Sequence, residues 1–364
     1  MRMPAAVVAT AALALAAPAR ADGVLEIRGA YYKERSTRVV QPMVDAALDV
    51  GDGGRLEAHF LIDSITSASA ASGTGGLEFS ERRWEGGGGY TLELPGHVKI
   101  GAEGKYSSES DYFSTWLAGH VEVGLFDQNT TLRFLVGHSF DRITNGVAVD
   151  AGAIGTPFRE DHLGTTQISV GATQILTPWL VGRLTYDFMF LDGFQANMYR
   201  VVRGGSEPVP ERAPTRRVRN AVAASGRVWL PTDTVGVLEY RLYFDDWGIV
   251  ANTVEARAIQ EIMPGLDVRA RYRLYAQGAA SFYQDVYTQD QLSDPRINVT
   301  ADAKLASYVT NTLGGQVSGT LSLLGVTGDW GDVRFDLTVE RVWQTSAFGN
   351  AWVAQVGMSV PFSY

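Results

Sequence analysis

Three neighbouring stretches carry charge at every second position: Glu239 and Arg241, then Glu255 and Arg257, then Asp267, Arg269, Arg271 and Arg273. A spacing of two puts these groups on one face if the stretches are extended strands. Guanidinium keeps its charge and offers a planar fork of donors to carboxylate or phosphate, so such an arc would form an anion-attracting wall. The same residues suit a second role, in which acids and bases on adjacent strands pair and fill an interior as a structural network. A smaller group, Asp63, Thr66 and Ser69 in "DSITSAS", sets a carboxylate and two hydroxyls at a strand end. They would fold into the same interior or form a plain polar loop.

Patterns for catalysis are thin. Five histidines (His59, His97, His120, His138, His162) are scattered, and neither a GxSxG elbow nor an HExxH helix is present. An outer-membrane hydrolase assembled from separate strands is kept as the lesser alternative to a non-enzyme. The chain has no cysteine, which removes disulfides, thiolate chemistry and sulfur-ligated zinc; no cofactor or metal is expected. A formal charge of −9 argues against nucleic acid as a partner.

The elements that must position these groups alternate with period two almost everywhere from Val24 onward, which makes the chain all-β. Leu238, Tyr240, Leu242 and Phe244 oppose the first charged pair, and Val268, Ala270, Tyr272 and Leu274 oppose the arginine run. Short connections at "GDGG", "PG", "FDQN", "TP", "PTD" and "MPG" tend to alternate with long segments near 65–79, 141–163, 192–218 and 279–309. That rhythm fits a transmembrane antiparallel up-and-down β-barrel with tight periplasmic turns and extended external loops. Assigning Ile297 to Val309 to the last long loop gives about sixteen strands, with fourteen and eighteen as the neighbouring even counts.

Residues 1–21 combine Arg2, an apolar run from Ala5 to Ala17 and a small-residue "ARA" site, the pattern of a cleaved secretory signal peptide. Residues 22–364 then form the barrel. Trp179, Trp229 and Trp330 fall beside the proposed periplasmic turns, and Trp247, Trp343 and Trp352 at the opposite strand ends, as two interfacial girdles would. Trp84 and Trp116 look mid-strand. The chain ends "AWVAQVGMSVPFSY", whose apolar alternation and aromatic Phe362 and Tyr364 match the terminal strand that outer-membrane barrels present to the barrel-assembly machinery. Between Arg200 and Arg219, several arginines spaced by prolines read as a solvated, partly disordered loop, or as a contact for lipopolysaccharide phosphates.

Several stretches resemble an uncharacterised bacterial family known only as a domain of unknown function, number 3570. They are "YYKERSTRVVQP" (Tyr31 to Pro42), "LIDSITSAS" (Leu61 to Ser69), "YRLYFDDWGIVANTVE" (Tyr240 to Glu255), "RYRLYAQGAASFY" (Arg271 to Tyr283) and "DPRI" (Asp294 to Ile297). The first loop departs from the family, reading "TSASAASG" where members tend to show Thr-Gly-Ala-Ser-Pro. The resemblance implies an outer-membrane barrel and no particular activity. The expectation is therefore a porin-like channel for small polar or anionic solutes in the outer membrane of a Gram-negative-type bacterium. The alternative is a non-conducting scaffold or docking partner for periplasmic proteins. Lipid and lipopolysaccharide are the expected surroundings, and a homo-oligomer is one open arrangement.

Overall fold

The computed structural model describes residues 22–67, 79–145, 158–198, 200–204 and 208–363. The signal-peptide segment, Ser69 and Tyr364 lie outside them. Sixteen strands close into one antiparallel barrel in which each strand pairs with its chain neighbours and the last returns to the first. In order they are β1 Asp22–Lys33, β2 Thr37–Val50, β3 Gly54–Ser67, β4 Phe79–Leu94, β5 Val98–Ser108, β6 Tyr112–Leu125, β7 Thr130–Thr144, β8 Glu160–Thr177 and β9 Leu180–Gly193. After a two-stranded loop hairpin, β10 Val201–Val202 with β11 Val209–Pro210, the wall resumes with β12 Arg216–Leu230, β13 Thr234–Asp245, β14 Val250–Met263 and β15 Leu266–Gln277. It closes with β16 Tyr308–Thr320, β17 Arg334–Gln344 and β18 Ala351–Ser363.

An even strand number sets both described termini at one end of the barrel. At that end the strands turn tightly, helped by positive φ at Gly51, Gly96, Asp127 and Gly265. The exception is the β16–β17 connection, where the 3-10 segments Leu321–Leu324 and Gly328–Asp332 fill out a longer foot. At the opposite end the longest connections among the described residues run from β9 to β12 and from β15 to β16, while most of the β3–β4 and β7–β8 connections lies outside the described residues. Residues 297–307 belong to the β15–β16 connection, but Tyr308 and Val309, expected in the loop, already open β16.

Alternation along each strand sorts side chains by face. Leu117, Leu184, Leu238, Leu313, Leu337 and Val356 all point outward and are more than half exposed. A closed barrel has no second layer to cover such a belt, so hydrocarbon must cover it, and the chain spans a membrane. No helix is long and apolar enough to cross one, leaving the strands as the spanning elements. Three outward asparagines are each capped by a tyrosine one strand away: Tyr186 donates to Asn220 (2.7 Å), Tyr240 to Asn252 (2.6 Å) and Tyr272 to Asn311 (2.7 Å). The bond satisfies an amide oxygen that would otherwise meet lipid unpaired.

The tryptophan girdles need two corrections. Trp179, Trp229, Trp330, Trp343 and Trp352 are exposed as expected, but Trp247 is buried and turned inward. Its level along the barrel was legible, whereas its direction was not, because it sits in a turn where strand alternation no longer applies. Trp84 is exposed and pairs with Ser108, the last residue of β5, so it joins the girdle at the loop end.

Candidate functional site

The inward face of β12–β15 is the basic wall. Arg241 stands opposite Ala223 and Thr253, and Arg269, Arg271 and Arg273 follow at alternate positions on β15. The structure divides these arginines by pairing. Arg271 lies between two carboxylates, Glu255 at 2.8 Å and Glu340 at 2.7 Å. Glu340 is two strands away on β17 and reaches Arg271 across Gly314 of β16, where an added Cβ would meet its Cγ at 2.7 Å. Arg257 approaches Glu255 at 3.2 Å. Arg257, Arg271 and Glu255 thus form a structural network, while among the described residues Arg241, Arg269 and Arg273 enter no ion pair. The Nε atoms of Arg269 and Arg273 are buried without a hydrogen-bond partner. Sequence spacing could not make this division, because Glu340 is far along the chain and a strand removed in the sheet.

Eight strands round from β13 and β14, on the opposite side of the ring, stand β3 and β4. Here acids dominate the inner face: Asp45, Glu57, Glu85 and Glu103 share the wall with Arg55, His59 and Lys105. His59 donates through Nδ1 to the Asp45 carboxylate at 2.6 Å, with Glu85 at 3.6 Å from its other nitrogen. The lumen is therefore polarised across its width. Across a lumen such opposed charge gives a transverse field that orients charged and dipolar solutes.

The loop end above the basic wall carries a folded cap. Loops 194–215 and 278–307 pack on each other around Val202, Tyr287, Leu292 and Val299. Arg212 bonds the carbonyls of Ile297 (3.0 Å), Leu292 (3.2 Å), Gln291 (3.3 Å) and Asp294 (3.2 Å), pinning one loop to the other. Arg200 is buried between Glu211 and Asp302, at 3.1 Å from each. Arg200 and Arg212 of the proline-spaced arginine segment are thus built into this cap. What composition missed is that Arg200 and Arg212 find partners in a loop about eighty to a hundred residues later, so these two fold inward while Arg203 and Arg216 stay exposed.

The remaining sequence candidates disperse. Asp63 faces inward, is buried and pairs with Arg83 at 2.6 Å. Thr66, three residues on, falls on the opposite face of β3, since odd and even positions of a strand diverge. The Asp63–Thr66 pair therefore does not converge, and Ser69 lies outside the described residues. Glu239 faces the lumen opposite Ser225 and Glu255. Asp267 pairs with Arg334 near the terminal end. Of the assembly residues, Phe362 is exposed on the outer face of β18 and registers with Gly23 of β1. The histidines stay apart, and among the described residues none links a hydroxyl to a carboxylate, the relay that hydrolysis by a serine or threonine needs.

These features define a class: a closed sixteen-strand membrane barrel with a charged, polarised interior and a folded external cap. The chain belongs to the family described as "Protein of unknown function (DUF3570)", whose model matches residues 76–345. No curated protein matches it. Among solved structures it is similar to OccK1 (OpdK) of Pseudomonas aeruginosa, with 9% identity, TM-score 0.48, and coverage of 94% of this chain and 99% of that one. A BenF-like porin from Pseudomonas fluorescens gives 10% identity and TM-score 0.46 at the same coverage. OccAB3 of Acinetobacter baumannii gives 9% and 0.46, again at that coverage. Likenesses of this degree carry no inference about solutes, and the functional reading rests on the chain's own lumen.

Proposed function

We propose that the protein is an outer-membrane channel of a Gram-negative-type bacterium, passing small polar solutes and favouring anions along the β12–β15 wall. The observation that carries this reading is that Arg241, Arg269 and Arg273, on the inward face of a barrel wide enough that side chains alone do not fill it, enter no ion pair among the described residues, with the Nε atoms of Arg269 and Arg273 buried without a hydrogen-bond partner. Guanidinium groups that no carboxylate bonds directly add little to the wall, whereas a passing anion supplies a direct partner. Insertion by the barrel-assembly machinery through β18 belongs to the same reading.

Purified protein in a planar lipid bilayer tests it. Stepwise conductance is expected, with a reversal potential in a potassium chloride gradient that favours chloride. The double variant Arg269→Gln, Arg273→Gln should lower that preference severalfold. Absence of conductance, or a cation preference indifferent to the double variant, would remove the channel or its anion wall respectively. The cap favours a second reading, a barrel held closed as a scaffold for periplasmic proteins, and silence in the bilayer would support it.

A further inference from the structure

Beneath the cap lies a cavity of about 450 Å³, at the junction of the loops with the inner faces of β9 and β12–β15. One side of its lining is cationic. Arg219, Arg241 and Lys304 border the space, and among the described residues none of them enters an ion pair. The Nε of Arg219 is also buried without a hydrogen-bond partner. The other cations nearby are already committed: Arg217 to Asp245, and Arg200 to Glu211 and Asp302.

Two carboxylates also line the cavity, Glu211 and Asp302, and both are held by Arg200 at 3.1 Å; Gln195, Gln277 and Thr253 add neutral polar groups, and much of the remainder is aromatic and aliphatic. Trp247, Tyr243 and Tyr275 present rings, and Leu163, Leu191 and Leu305 present methyl groups. Trp247 is fixed by its Nε1 bond to the Arg216 carbonyl at 3.0 Å and by an edge contact with Phe282 at 5.3 Å between centroids. An apolar, rigid surface beside a few convergent cations is the makeup of a small-molecule site. A bare inorganic anion would use the cations and leave the rings wet; a neutral hydrocarbon would leave the Nε of Arg219 without a partner.

We propose that this cavity is a binding site for a small organic anion, a carboxylate joined to a planar apolar body. The carboxylate meets Arg219, Arg241 and Lys304, and the ring lies among Trp247, Tyr243 and Tyr275. The proposal names the solute class for the channel reading, and it concerns binding at the mouth, which conduction does not have to accompany.

The test uses the full barrel in detergent micelles, with phenylacetate as the probe and phenylacetamide as its neutral counterpart. Saturable binding of phenylacetate is expected by calorimetry, with quenching of the fluorescence component that Trp247→Phe abolishes. The amide should bind at least tenfold more weakly. Arg241→Gln and Lys304→Ala should each weaken phenylacetate about tenfold and leave the amide unaffected. Lys304 is on the cap, so its loss leaves the barrel wall intact if the arginine variant fails to fold. Equal binding of acid and amide, indifference to both substitutions, or no saturation at millimolar concentration would each overturn the site. Conductance without phenylacetate binding would sink this inference and spare the channel; binding without conductance would do the reverse.

Discussion

The guanidinium of Arg217 lies 4.0 Å over the indole of Trp247, and the same arginine donates from Nε to Asp245 at 2.9 Å. The contact joins β12 to the β13–β14 turn, and the turn in turn receives loop 278–307 through the bond from the Ser281 amide to the Trp247 carbonyl, 2.8 Å. Trp247 is therefore the seat on which the cap rests. Replacing a buried tryptophan with alanine costs about 3–5 kcal/mol, and here that loss falls on the cap because the barrel ladders do not depend on the indole. Trp247→Ala should accelerate proteolytic cleavage within 194–215 and 278–307 by on the order of a hundredfold. The heat-modifiable gel mobility of the barrel should be unchanged. Cleavage at the wild-type rate would mean that the cap is held elsewhere.

Arg271 and Arg269 are two positions apart on one face of β15, and they should behave oppositely. Arg271→Gln leaves Glu255 and Glu340 without their shared partner, and those carboxylates are mostly covered, so a loss of about 1–3 kcal/mol is expected. Gly314→Val should reproduce that loss by blocking the path Glu340 takes over β16. Arg269→Gln removes a charge that enters no ion pair among the described residues and should shift stability by less than about 0.5 kcal/mol. Urea unfolding in lipid vesicles separates the three. A destabilised Arg269→Gln would show that its charge is structural after all.

The contrast between those two arginines also marks where sequence reading stops. Which face a residue occupies follows from parity, so the inward set on β13–β15 was legible from alternation alone. The even strand count was legible too, because turn residues punctuate the chain at each reversal. Pairing was not, since Glu340 and Arg271 meet across an intervening strand and depend on a glycine between them. Thr66 went wrong for the converse reason: it was grouped with Asp63 by nearness in sequence, against the parity that places them on opposite faces. The cap was hidden because Asp302, which shares Arg200 with Glu211, and the carbonyls that hold Arg212 come from a separate loop, and nothing local in either loop announces the other.

The barrel closes where β1 meets β18, and Gly23 is the tight point of that seam. A Cβ there would lie 2.5 Å from Cζ of Phe362 and 2.9 Å from the Ala47 carbonyl oxygen. The ring overlies the glycine, shielding backbone that lipid would otherwise meet. Gly23→Val should therefore hinder closure, costing about 1–3 kcal/mol as overpacking does. The yield of folded, heat-modifiable barrel in a vesicle-folding time course should fall. Adding Phe362→Ala should recover part of it by vacating the space. No recovery in the double variant would place the obstruction at Ala47 instead.

At the loop end, Glu109 in the β5–β6 turn shares Arg83 with Asp63, at 3.9 Å and 2.6 Å respectively, and Glu81 stands close by with a bond from Ser110. Burial, then the negative charges of Glu81 and Asp63, raise the Glu109 carboxyl above its ordinary value, with Arg83 pulling the other way. A carboxyl raised by folding binds its proton more tightly in the native state, so its contribution is full at low pH and is lost as pH rises through the native value. At pH 7 the ionised group is therefore a liability to this rim. Glu109→Gln, which resembles the protonated form, should be more stable than wild type at pH 7, and the gap should narrow as pH falls toward 5. Denaturation midpoints for both proteins across that range measure it. A gap independent of pH, or a variant weaker at neutrality, would show that Arg83 outweighs the acids around it.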